Sequence, residues 1–187
     1  METLKRIISD IKAVRKNDPA AKNYFEIILC HTPLWAILKY RVMHPLAKIG
    51  VPILPRFVMT LAKVVTGVEI HPSAKIGKSF FIDHGIGVVI GETAEIGDNC
   101  TLFHNVTLGG TGKHSGKRHP TLGNNVYVGT AATLLGPIKI GNNVKIGAET
   151  VIIMHDVPSN CTVVGAPGKI VRLNGRKVNI KLKPTKS

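Results

Sequence analysis

From Ile70 an aliphatic side chain returns at every sixth position, and this period constrains the fold more than any other feature of the chain. The series runs Ile70, Ile76, Ile82 and Val88, slips by two, and resumes as Ile90, Ile96, Leu102 and Leu108. After a longer insertion it continues through Leu122, Val128, Leu134, Ile140, Ile146 and Ile152, misses at Pro158 and returns at Val164. A period of six matches neither a helical face, which repeats every 3.6 residues, nor a long strand, which repeats every two. It suits a parallel β-helix whose three short strands close one triangular coil of about 18 residues. Glycine often follows the aliphatic, as at Gly77, Gly97, Gly123 and Gly141, where a positive φ or a close backbone approach would turn a corner. Ala74, Ala94, Ala132 and Thr150, four places on, suit a narrow interior. Residues 68–168 therefore read as about five coils of a left-handed parallel β-helix, mainly β, behind a short α-helical domain.

Residues 1–67 carry helical spacing instead. Leu4, Ile7, Ile8, Ile11 and Val14 predict one helix, stopped by Asn17-Asp18-Pro19, with Asp18 and Pro19 placed to start the next. Thr32-Pro33 predicts a further start, running to Met43 before Pro45, and a last helix spans Pro55 to Val65 and ends at Gly67. From Lys169 onward seven residues are basic and none acidic, so 169–187 reads as a solvated basic tail. The net charge is +14, from 25 Lys+Arg against 11 Asp+Glu, a footprint that nucleic acid or a small phosphorylated ligand would fit. The tail offers no aromatic ring to stack on a base, so the small ligand is expected and nucleic acid is not. Cys30, Cys100 and Cys161 form no CxxC pair, which argues against a disulfide framework and a cysteine zinc site. With no signal-peptide pattern and no long uncharged apolar run, a cytoplasmic chain without a membrane segment is expected.

Two breaks in the repeat hold the candidate chemistry. The larger is the 14-residue step from Leu108 to Leu122, which contains GGTGKHSGKRHPT. It carries Lys113, Lys117, Arg118 and His119 with no acid, and reads as a lid whose Arg118 would pair with a carboxylate. The plain alternative is a flexible surface excursion. The second break is DHGIGVVIGETA at 83–94, opened by Asp83 and His84. Glu69 lies 15 residues before His84, close to one coil, which would bring a carboxylate toward the imidazole as a general base requires. The histidines also raise a metal reading. His71, His84, His104 and His119 show no i, i+4 pairing, so no metal is expected.

The segments VEIHPSAKIG, FFIDHGIGVVIGETAEIGDN, VTLGGTGKHSGKRHPTLGNNVYVG and VVGAPGKI resemble the serine O-acetyltransferases of the hexapeptide-repeat acyltransferase family, as does DIKAVRKNDPAAKNY before the repeat. The resemblance spans residues 9–172, and DHG…GET with GGTGK…KRHP is particular to that group. It implies acetyl transfer from acetyl-CoA to the hydroxyl of L-serine, the first step of cysteine biosynthesis. It implies His84 as general base, with Glu69 as the carboxylate oriented toward it. Asp18 and Asp83 would hold the serine amine and hydroxyl region, and Arg118 with His119 the serine carboxylate. Gly109, Gly110, Thr130, Ala148 and Lys169 match the coenzyme A groove. A homotrimer with sites between chains is implied as well. Family members that dock into O-acetylserine sulfhydrylase end in isoleucine, whereas the last residue here is Ser187, so no stable complex with that enzyme is expected. Another hydroxyl acceptor (homoserine, a sugar or an antibiotic) is the alternative within the fold. A non-catalytic scaffold or RNA-binding protein is the alternative outside it.

Overall fold

The computed structural model describes residues 2–112 and 115–185. Short strands begin at Glu69 and stack coil upon coil into three sheets. The first holds Glu69–Ile70, Val89–Ile90, Thr107–Gly109, Thr133–Leu135 and Val151–Ile153. The second holds Lys75–Ile76, Glu95–Ile96, Thr121–Leu122 and Lys139–Ile140. The third holds Phe81–Ile82, Thr101–Leu102, Tyr127–Val128, Lys145–Ile146 and Cys161–Val164. Pairing between successive coils is parallel, and the aliphatic of each hexad points inward, as at Ile70, Ile82, Leu102 and Leu134. The period of six is thus a parallel solenoid of about five turns.

Strand register measures each coil. Ile70 pairs with Ile90, a step of 20 that absorbs the slip at 83–88. Ile96 pairs with Leu122, a step of 26 that absorbs the loop, and Leu122 with Ile140 restores a step of 18. The last coil is one residue short, because Ile140 bridges Val157 and Ile146 pairs with Val163. Val157 and Val163 are buried and Val164 is exposed. The miss at Pro158 was therefore a register slip, and the return at Val164 was coincidence. A slip of one residue turns the side chain that faced the core outward.

The corner glycines answer to crowding more than to backbone freedom. Gly77, Gly97, Gly123 and Gly141 all lack a positive φ. A Cβ on Gly97 would lie 2.5 Å from the Gly123 carbonyl oxygen of the next coil. The left-handed residue sits two places later: Ser79 in the first coil, then Asn99, Asn125 and Asn143, with Asn160 continuing the column in the last coil, at φ between 54° and 60°. Asparagine tolerates that region, and here the side chains also form a ladder. Asn125 Nδ2 donates to Asn143 Oδ1, and Asn143 Nδ2 to Asn160 Oδ1, each at 2.9 Å. Gly97→Ala should lower stability by about 1–3 kcal/mol through overpacking. A urea midpoint equal to wild type would show that the coils spread to admit the methyl.

Four helices close the first end of the solenoid: α1 (Glu2–Asn17), α2 (Tyr24–Cys30), α3 (Thr32–Lys48) and α4 (Leu54–Thr66). Gly67 ends α4 in the left-handed region at φ 71°, as expected. Two expectations needed correction. Asp18 does not cap α2; it forms a local turn, accepting from the Ala20 N–H at 2.8 Å, while Asn23 caps α2 by accepting from Glu26 N–H. The third helix also runs through Pro45 to Lys48, because a proline in the last turn disturbs few remaining bonds. Ala36, Ile37, Tyr40, Met59 and Ala62 continue the solenoid core, so the helices lid an otherwise open coil. At its centre Asp10 accepts from Arg41 Nε at 2.8 Å and from the Phe80 N–H at 2.9 Å. Arg41 donates onward to the Ile76 carbonyl at 2.7 Å. This buried ion pair joins α1, α3 and the first coil.

The basic tail forms strands through Thr185 while its lysines and arginines stay exposed to solvent. Lys169–Leu173 and Arg176–Lys181 extend the third sheet antiparallel, and Lys183–Pro184 pairs with His155–Asp156. Leu173, Val178 and Leu182 pack against the core, so these strands cap the second end. Lys186 and Ser187, on which the sulfhydrylase expectation rested, lie outside the described residues, as do Lys113 and His114 of the loop. No helix of the described residues is long and apolar enough to cross a membrane.

Candidate active site

The candidate residues gather at two edges of the first sheet. One edge is the corner that follows each third-sheet strand. Asp83 and His84 turn there after Ile82, with His84 itself in the left-handed region at φ 61°. Its side chain is 72% exposed, and its Nε2 lies 3.8 Å from Asp83 Oδ1. The His104 ring stands edge-on to it, with centroids 5.7 Å apart. His31, between α2 and α3, faces the same group. Its Nδ1 accepts from the Leu34 N–H at 3.3 Å. Burial holds the His31 imidazole below its ordinary pKa, against the pull of the Asp18 and Asp83 carboxylates. Asp18 from the turn after α1 and Asp83 with His84 from the corner thus all act on His31.

The other edge is the corner that follows each first-sheet strand, and the loop docks on it. Arg118 Nη2 donates to the Glu92 carboxylate, which holds that carboxyl below the usual range. Thr93 anchors the loop's end. Its Oγ1 accepts from the Arg118 N–H at 3.0 Å and the His119 N–H at 3.1 Å. It also lies 2.9 Å from His119 Nδ1. Lys117 Nζ donates to the Thr93 carbonyl at 2.6 Å. Burial and then the Arg118 charge keep His119 below its ordinary pKa, so a neutral ring is favoured there. Gly91 makes room for that ring, since a Cβ would sit 2.0 Å from His119 Cδ2. Gly110 faces the Arg118 carbonyl at 3.2 Å from its would-be Cβ, so the loop closes at its base.

Within one chain Glu69 makes no ion pair with His84 among the described residues. Its carboxylate bonds Lys63 Nζ at 2.5 Å, because α4 ends just before it and carries Lys63 in its last turn. The carboxylate within ion-pair reach of His84 is Asp83. Arg118 and His84 likewise lie on opposite edges of the first sheet within one chain. Thr130 and Ala148 stack on the His84 corner, two residues past Val128 and Ile146. Gly109 ends a first-sheet strand, and Lys169 lines a cleft of about 370 Å³ with Val151, Ile153, Pro167 and Lys181. Among the described residues no group of three or more His, Cys, Asp or Glu is placed to hold a metal. Sequence reasoning missed Thr93, His31 and the partnership of Glu92 with Arg118. Only His104 carried a signal, since it occupies the same hexad position as His84.

Residues 119–153 match the family model described as bacterial transferase hexapeptide (six repeats). The chain is 51% identical to a serine acetyltransferase of Synechococcus elongatus over 175 residues, covering 94% of this chain and 71% of that one. It is 53% identical to a serine acetyltransferase of Bacillus subtilis over 169 residues, covering 90% and 77%. The solved structure of a Neisseria gonorrhoeae serine acetyltransferase in complex with serine superposes with a TM-score of 0.86 at 40% identity, covering 91% of this chain and 69% of that one.

Proposed function

This chain belongs to the serine acetyltransferases, acyltransferases that act on the hydroxyl of L-serine in cysteine biosynthesis, and we propose that acetyl-CoA is its donor and His84 its general base. The observation that carries the assignment is the exposed His84 beside Asp83 at one corner, with Asp18 within electrostatic reach of the same His31. An exposed imidazole beside carboxylates can accept a proton and be stabilised while it carries the charge. His84 Nε2 removes the serine hydroxyl proton as the oxygen attacks the thioester carbonyl. The tetrahedral intermediate collapses, the C–S bond breaks, and the coenzyme thiolate recovers the proton from the imidazolium. No acetyl-enzyme forms.

Asp83 and Asp18 balance the serine ammonium, and Arg118 with His119 receives its carboxylate. Arg118 keeps donors free beyond Glu92, since a guanidinium has five. The corner of Thr130 and Ala148, with Gly109, Gly110 and Lys169, forms the coenzyme groove, and a basic field suits its phosphates. Because His84 and Arg118 lie on opposite edges of one sheet, a single chain does not close both on one serine. A homotrimer in which the Arg118 edge of one chain meets the His84 edge of the next completes three sites. In that assembly Glu69, which shares the surroundings of His71 with Glu92 and Arg118, faces the neighbouring chain's His84 and remains its orienting carboxylate.

Thiol release from acetyl-CoA with L-serine, L-homoserine or sugars as acceptors tests the reading, with turnover expected on L-serine. Arg118→Gln removes a charge-assisted contact worth about 1.5–3 kcal/mol, so the KM for serine should rise roughly 10- to 150-fold. The KM for acetyl-CoA should hold. Equal KM changes for both substrates would place Arg118 in a general structural role instead.

A further inference from the structure

Third-sheet register runs Ile82 on Leu102, Leu102 on Val128 and Val128 on Ile146. Two residues past each, the corner positions form a column: His84, His104, Thr130 and Ala148. The base and two groove positions thus share one edge, with His104 between them. His104 has two properties that the reaction as written does not use. Its ring meets the His84 ring edge to face, at 5.7 Å and 80°. Its Nδ1 is buried with no hydrogen-bond partner among the described residues.

A buried ring nitrogen without an acceptor is a poor seat for a proton, so of the two tautomers the one carrying its proton on Nε2 suits this setting. His84 needs outside support. Its side chain is 72% exposed, its φ is 61°, and its one ion-pair contact among the described residues is Asp83 at 3.8 Å. An imidazole in that position rotates unless something blocks it, and a misplaced base loses rate steeply.

We propose that His104 is the positioning residue of the base: a ring that walls one side of His84 and holds it in its proton-accepting orientation. This rests on the reading of His84 as general base. The other ionisable groups around the pair are Asp83 on the same corner, and His31 with Asp18 from the helical region. Tyr127, on the next coil beyond His104, senses Asp83.

The test is steady-state kinetics of wild type, His104→Ala, His104→Phe and His84→Ala with L-serine and acetyl-CoA, from about pH 5.5 to 9. His104→Ala should lower kcat about tenfold or more, with both KM values within about twofold. His104→Phe keeps a ring wall without a titrating group and should restore most of kcat. In a His84→Ala background, His104→Ala should have no further effect. A wild-type kcat in His104→Ala overturns the proposal. So does a Phe variant no better than Ala at equal thermal midpoints. Failure of the base reading looks different: His84→Ala itself would then keep its kcat.

Discussion

Replacement of His84 by alanine is expected to lower kcat by about 10²–10⁴-fold, the range that loss of a general base produces. The side chain is largely exposed at a corner and fills no part of the core, so the thermal midpoint should move little. Because φ is 61° at this position, His84→Asn is the useful companion, since asparagine accepts that region and removes the base without added backbone strain. Both variants should show the same loss at saturating L-serine and acetyl-CoA. Acidification should mimic them, because an imidazole already carrying a second proton cannot accept one from serine. Turnover near the wild-type value in either variant would remove His84 from the chemistry.

The second large effect is on stability. Arg41→Ala should cost about 3–5 kcal/mol, because it strands the Asp10 carboxylate in the interior. Asp10 is fully buried, and burial pushes its pKa upward while Arg41 pulls it back down. The lost side chain also takes one of two donors from the Ile76 carbonyl, which keeps Arg6, and removes the guanidinium donor to the Gly77 carbonyl. Asp10→Leu combined with Arg41→Met should recover part of the loss, since an apolar pair carries no desolvation cost. Urea unfolding followed by circular dichroism reads all three. A loss below about 1 kcal/mol for Arg41→Ala would mean that water reaches Asp10 and that the helical region is not locked by this pair.

The edge chemistry shows how far sequence spacing reaches. His84, Arg118 and His119 stand out because each breaks a strict repeat, and a break in a repeat is visible one residue at a time. Their partners are not visible that way. Lys63 takes Glu69 because the last turn of α4 ends beside the first strand, and Glu92 takes Arg118 because the loop folds back one coil. Thr93, which fixes three loop groups, has no spacing that sets it apart from any other threonine. The helical region shows the same limit. Gly67 marked its boundary correctly, since a left-handed cap favours glycine for local reasons. Pro45 did not end α3, whose burial against the first coil outweighs a local break.

The sequence by itself determined the solenoid, because a buried aliphatic every six residues leaves one way to keep every such side chain inside. It also determined which corners depart from regularity, and therefore where chemistry could be placed. Tertiary structure alone decided three things: the register slip that buries Val163 instead of Val164, the folding of residues 169–185 into a cap, and the sorting of the candidate residues onto two edges of one sheet. The physical reason is common to all three. Burial periodicity is a property of consecutive residues, whereas register, capping and side-chain pairing are settled by contacts between coils and helices far apart in the chain, where steric fit and charge choose among partners that local spacing leaves equivalent.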